Sequence, residues 1–199
     1  MLFRSKIIIL TKCRRSDKEL YNAYTNTNTF NPTFTNIVNT QLSLCYCNST
    51  RKKINEHWMN KLKPKKVLLI TRDKHNRNSQ DMIVYKDLPL IACKTMNKYN
   101  VCNSDRANVF KFDKNEIEIT HDGKDNIKIP LDDFRTLFYP AYAITIHKSQ
   151  GMTITVPYTI VGWNTMNEEI KETARYVALS RAQTMKQVQF TTDENIEFE

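Results

Sequence analysis

LSLCYCNSTRKKINEHWMNKL, residues 42–62, passes from a short apolar run into a helical pattern, and its reading sets the fold class. The run 42–46 has the length and apolar content of a buried strand. Thr50 stands where a helix cap is wanted, and Ile54, Trp58 and Leu62 then recur at i, i+4 and i+8 on one helical face. A strand feeding a helix is an α/β unit. Short runs at 7–11, at 66–71 (KVLLIT) and at 158–163 read as further strands, the first two of buried type. Between 21 and 40 the chain is rich in Asn and Thr and carries Pro32, which reads as a loop or a poorly packed helix.

From 85 to 137 the character changes. Short extended runs (LPLIACKT, ANVFKF, EIEIT, IKIP) alternate with polar turns, and no helix is evident. A small antiparallel β-barrel inserted into the α/β domain accounts for this, so the expected division is 1–84 with 138–199, interrupted by 85–137. Pro140 and Gly151 then bracket AYAITIHKSQ as one helix, proline being tolerated at the first position and glycine favoured after the last. A final helix is expected from Asn167, with Glu168 and Glu169 complementing its dipole. Its apolar stripe is Ile170, Ala174 and Val177, and the next position is Arg181. A guanidinium on a core-facing stripe demands an anion, because an unpaired buried charge is costly. The other reading ends the helix by Leu179 and leaves Arg181 in water.

The 199 residues, 40% hydrophobic and 26% charged, suffice for one domain with a small insert. The three glycines, Gly123, Gly151 and Gly162, cannot form the phosphate loop GxxxxGK[ST] or a GxGxxG turn. The net charge of +9 is uneven: residues 51–77 hold ten basic side chains against Glu56 and Asp73. Such a patch suits a polyanion, phosphate backbones above all, or is a solvated lysine-rich face. Five cysteines without a CxxC pair support neither a disulfide framework nor a zinc knuckle, and His57, His75 and His121 form no ligand cluster, so no metal site is expected. Cys45 and Cys47 are read as strand residues on one face. The apolar run at 7–10 is too short for a signal core or a membrane span, which points to a soluble protein of the cytoplasm or nucleus with no membrane partner.

YAITIHKSQG (142–151) and YVALSRA (176–182), in that order and preceded by a β-rich insert, resemble the last two motifs of superfamily 1 helicases, closest to the Pif/RecD-like branch with its UvrD-type C-terminal domain. LTKCRRSD (10–17) resembles the earlier motif that carries an arginine toward the nucleotide. The resemblance implies a RecA-like second motor domain with an inserted SH3-type barrel, part of an ATP-dependent DNA helicase of replication or repair. The P-loop and the acidic magnesium motif would lie on a first RecA-like domain, supplied in cis or in trans, which holds most of ATP and Mg. By motif match Arg181 is the arginine finger and Arg15 a second γ-phosphate contact, with Arg14 competing; a salt bridge from Arg14 or Arg15 to Asp17 or Glu19 is the alternative. Gln150 and Gly151 fall nearer the nucleotide, and Thr145, His147, Lys148 and Ser149 nearer single-stranded DNA. Asn48 and Arg51 are further backbone-contact candidates, Asn48 being equally placed to cap a helix. The chain is then either the C-terminal piece of a longer helicase or a separate reading frame descended from one, without ATPase activity by itself. A non-enzymatic nucleic-acid-binding or partner-binding remnant is the competing class, and RNA is the other possible track.

Overall fold

The computed structural model describes residues 15–62, 64–121, 124–192 and 196–198. In chain order the elements are α1 (Lys18–Thr25), β1 (Ile37–Val38), β2 (Ser43–Cys45), α2 (Asn48–Lys61), β3 (Leu68–Ile70) and β4 (Met82–Val84). Next come β5 (Pro89–Ala92), β6 (Arg106–Phe112), β7 (Glu116–His121), β8 (Lys124–Pro130), α3 (Leu131–Leu137), β9 (Phe138–Pro140) and β10 (Ala143–Thr145). Then follow β11 (Tyr158–Val161), α4 (Lys171–Leu179), β12 (Val188–Thr191) and β13 (Glu197–Phe198). The strand expected at 7–11 and Arg14 lie outside the described residues.

The centre is a four-stranded, wholly parallel sheet in the order β10–β2–β11–β12. Leu44, Ile144 and Ile160 project to one face, where they pack with Leu20, Ala23 and Tyr24 of α1 and Ala178 and Leu179 of α4. Their neighbours Cys45, Ala143 and Val161 project to the other, against Ile54, Trp58 and Met59 of α2. A strand covered on both faces reads as an unbroken apolar run, which is why 42–46 and 158–163 were legible. The mixed α/β class with a parallel sheet is therefore present.

Several expectations are corrected. The helix bracketed by Pro140 and Gly151 does not form: Pro140 ends β9, residues 143–145 are β10, and only a 3₁₀ turn, His147–Ser149, follows. The consecutive β-branched residues Ile144, Thr145 and Ile146 favour extended backbone. Pairing with β2 and α2 then decides it, because the outward N–H and C=O of Ala143 are both met by the Asn55 side chain, at 2.8 and 3.1 Å. Helix α2 starts earlier than Thr50 predicts, with Cys47 at the capping position, so Cys47 is not a strand partner of Cys45. Leu62, expected on its apolar face, is exposed. From residue 21, where a loop or a poorly packed helix is expected, α1 is helical to Thr25 and well packed: Asp17 caps it by accepting the Leu20 N–H at 2.8 Å, and its Leu20, Ala23 and Tyr24 are buried. Helix α4 starts at Lys171, since Asn167 instead organises a preceding turn, its side chain accepting the Glu169 N–H at 2.9 Å.

The 85–137 region forms most of a five-stranded antiparallel sheet in the order β8–β7–β6–β5–β9, the last strand lying beyond residue 137. Among the described residues β8 and β9 are its outer strands and do not pair with each other. It also contains α3, which the sequence reading missed; Asp132 and Asp133 occupy its first turn, where the dipole favours them, and Phe134 and Leu137 are fully buried. β3, expected as a buried strand, pairs among the described residues with β4 alone, in a separate antiparallel ribbon, and its Leu69 is 73% exposed.

Candidate functional site

Residues 145–152 connect the end of β10 to the segment leading into β11. Thr145 Oγ1 accepts the Lys148 N–H at 3.2 Å, and Ser149 Oγ donates to the Ile146 carbonyl at 2.7 Å, so both hydroxyls help close the turn. Ser149 is fully buried, its hydroxyl turned to the loop's own backbone. His147 and Gln150 are exposed. Gly151 takes φ +88°, a conformation that costs a side chain strain although no atom lies within 4 Å of the position a Cβ would occupy. Lys148 is half-buried, its ammonium donates to Asn103 Oδ1, and burial lowers its pKa. Between this turn and α4 lies a cleft of about 300 Å³ lined by His147 and Gln150 on one side and Ile170, Ala174 and Val177 on the other.

Arg181 stands two residues past α4 and is 7% exposed. The helix does end at Leu179, yet Arg181 does not face water, and no anion meets it among the described residues. Its Nε donates to the Val177 carbonyl at 2.9 Å, Nη1 to the carbonyls of Met152 (3.1 Å) and Ser149 (3.4 Å), and Nη2 to Ser180 Oγ at 2.9 Å. Backbone dipoles thus replace the expected counter-ion, and one Nη2 proton is left over. Burial lowers the Arg181 pKa, and the nearby positive charge of Arg15 lowers it further. Arg15 is exposed, and its Nη2 donates to the same Met152 carbonyl at 3.3 Å. Neither guanidinium pairs with a carboxylate among the described residues, and the alternative bridge from Arg15 to Asp17 or Glu19 is not formed. Asp17 is engaged elsewhere: besides capping α1, it accepts the Met185 N–H at 3.0 Å and its own N–H donates to the Gln183 carbonyl at 2.9 Å. It thereby ties the segment bearing Arg15 to the segment bearing Arg181.

Arg51, expected as a backbone contact, is a second buried arginine. It is fully buried: Nε donates to Asn48 Oδ1 (3.1 Å), Nη1 to Gln80 Oε1 (3.0 Å) and Nη2 to the Asn78 carbonyl (2.9 Å), with the Tyr139 ring 4.1 Å from its central carbon. Burial lowers its pKa and pushes the Tyr139 phenol up to about 12, so the ring stays neutral against the cation. Asn48, in the first turn of α2, serves Arg51 and caps nothing.

Sequence reading missed Asp17, Asn103 and the Met152 carbonyl. The motif LTKCRRSD contained the first; the other two carry no local signal, because Asn103 belongs to the β5–β6 connection and a carbonyl has no residue signature. Among the described residues no three His, Cys, Asp or Glu side chains converge as a metal site, and no helix is long and apolar enough to cross a membrane.

No family model and no curated protein sequence matches the chain. Solved structures do. A structure of two Pif1 helicases unwinding forked double-stranded DNA superposes with a TM-score of 0.66 at 20% identity, covering 93% of this chain and 49% of that one. Bacteroides Pif1 in complex with ADP-AlF3 and single-stranded DNA gives 0.65 at 19% identity, covering 94% and 52%, and Candida albicans Pif1 gives 0.62 at 14%, covering 90% and 55%. The chain thus spans about half the length of these helicases, and its fold is that of half of a Pif1 helicase.

Proposed function

We propose that this chain is the second motor domain of a Pif1-like, ATP-dependent superfamily 1 DNA helicase: a RecA-like sheet interrupted at 85–137 by a barrel of SH3 type. In this reading it works against a P-loop-bearing first domain, in cis or in trans. The observation that carries the reading is the convergence of Arg15 and Arg181 on one carbonyl, beside Gln150 and Gly151, with no carboxylate among the described residues to neutralise them. Two like charges held together repel, so the arrangement gains its full stability only when an anion completes it. A triphosphate presented by the facing domain is such an anion.

The donor set fits phosphate and not a metal. ATP supplies the transferable phosphoryl group, and the magnesium that accompanies it is held by the first domain. Arg181 exchanges backbone carbonyls for γ-phosphate oxygens and stabilises charge developing there, a contribution of about 10³ to 10⁵ in rate for arginine fingers. Arg15 adds a second positive contact. Gln150 and the left-handed turn at Gly151 set the nucleotide side of the loop, while Thr145, His147 and Lys148 offer donors to the sugar-phosphate of single-stranded DNA without reading bases.

A second reading draws on the inward bonds of Arg181: four of its five N–H groups are already satisfied within the chain, as a nucleic-acid-binding or partner-binding remnant without ATP coupling requires. Steady-state ATPase assays separate the two. The isolated chain gives blank values in either case. Mixed with or fused to a P-loop-bearing first motor domain, it gives strand-stimulated turnover under the first reading and none under the second. Running the assay with single-stranded DNA and RNA in parallel identifies the track.

A further inference from the structure

The β3–β4 ribbon lies apart from the motif loop and carries its own surface chemistry. The Ile83 N–H donates to Met59 Sδ of α2 at 3.4 Å, so it points away from β3. Ile83 faces Leu69 in the antiparallel register, and directly opposed residues either exchange both ladder bonds or neither. The Leu69 N–H and C=O therefore point outward, as do those of Val67 and Thr71 by the two-residue repeat. The same three residues are exposed, Val67 at 45% and Leu69 at 73%, so one edge offers both apolar side chains and backbone groups that are unpaired among the described residues. Exposed Lys65, Lys66 and Arg72 flank it.

We propose that this edge accepts an acidic, extended segment of a partner protein as an added strand. Charge complementarity selects that occupant. A second copy of this chain would bring Lys65, Lys66 and Arg72 against themselves, and flanking cations are the usual device against such self-pairing. Nucleic acid finds cations here but no stacking platform: the neighbouring Trp58 and Phe112 rings are covered by Lys61 and Lys66, at 4.7 and 5.1 Å. An added strand with alternating apolar and acidic residues satisfies the three outward backbone pairs, buries Val67 and Leu69, and neutralises the rim. The proposal does not rest on the helicase reading.

A labelled peptide of about ten residues alternating Glu and Val is the probe, with its Lys/Val counterpart and a labelled thymidine oligonucleotide as controls. In fluorescence anisotropy the acidic peptide binds and the basic one does not. Leu69→Lys, at a site too exposed to disturb folding, weakens binding about tenfold, the equivalent of one lost leucine contact. The double variant K65E/K66E weakens it further, and the Leu69 amide gains protection from hydrogen exchange when peptide is added. Equal binding of the basic peptide, unchanged affinity in Leu69→Lys, or absence of binding overturns the proposal. So does displacement of the peptide by the oligonucleotide, which assigns the face to nucleic acid, or a dimer in sedimentation that Leu69→Lys abolishes.

Discussion

Two buried guanidiniums, Arg51 at the start of α2 and Arg181 after α4, lack a carboxylate partner among the described residues, and they differ in what surrounds them. Arg51 donates three hydrogen bonds to fixed acceptors on two segments and lies against the Tyr139 ring, with no exposed surface left. Arg181 is held by carbonyls of its own turn and of the motif loop, retains a sliver of exposure, and has Arg15 as a like-charged neighbour. An arginine with no surface left is a structural cross-link. In the proposed reading an arginine with a second cation beside it awaits an anion, and the contrast would then separate stability from function.

The largest effect tests the functional half. In a two-domain enzyme, Arg181→Ala lowers kcat by about 10³, with ATP affinity comparatively intact, since a finger acts mainly in the transition state. Arg181→Lys recovers little, because an ammonium lacks the planar fork, and Arg15→Ala also impairs turnover. Single-turnover kinetics check this, and near-normal rates in Arg181→Ala would collapse the distinction between the two arginines.

Arg51→Ala tests the structural half. It leaves Asn48 Oδ1 and the Asn78 carbonyl without this donor, while Gln80 Oε1 keeps the Asn55 amide, and it empties a packed site, so unfolding in urea reports a loss of about 3 kcal/mol, the range for breaking a buried charged network. Oligonucleotide affinity at a temperature where the variant is folded stays unchanged. A variant of normal stability with weakened strand binding would return Arg51 to the interface.

The remaining predictions sharpen the Arg181 side. Gly151→Ala costs about 1 kcal/mol through the positive φ alone, as no atom obstructs a methyl group there; a thermal melt measures it, and a much larger loss would mean that the loop is packed more tightly than the structure has it. Lys148→Ala weakens single-strand binding independently of sequence and reduces the slope of log K against log salt by roughly 0.7, one phosphate contact. An unchanged slope in anisotropy titrations would remove Lys148 from the strand-facing set.

Composition and local pattern were enough for the α/β class, the strands at 42–46 and 158–163, the helix after the first of them, the β-rich middle and the absence of a phosphate loop. Each depends on properties the chain carries without folding: apolar runs, turn residues and glycine spacing. Contacts between distant segments decided the rest. Asn55 claimed the outward backbone groups of Ala143, 88 positions along the chain, and turned a bracketed helix into an edge strand. Gln80 and Tyr139 enclosed Arg51 and took it out of solvent. Met152 brought Arg15 and Arg181 together across 137 and 29 positions. A polar side chain can satisfy a backbone group or a buried charge from any distance along the chain, and no periodicity records that choice; it appears only when the segments pack.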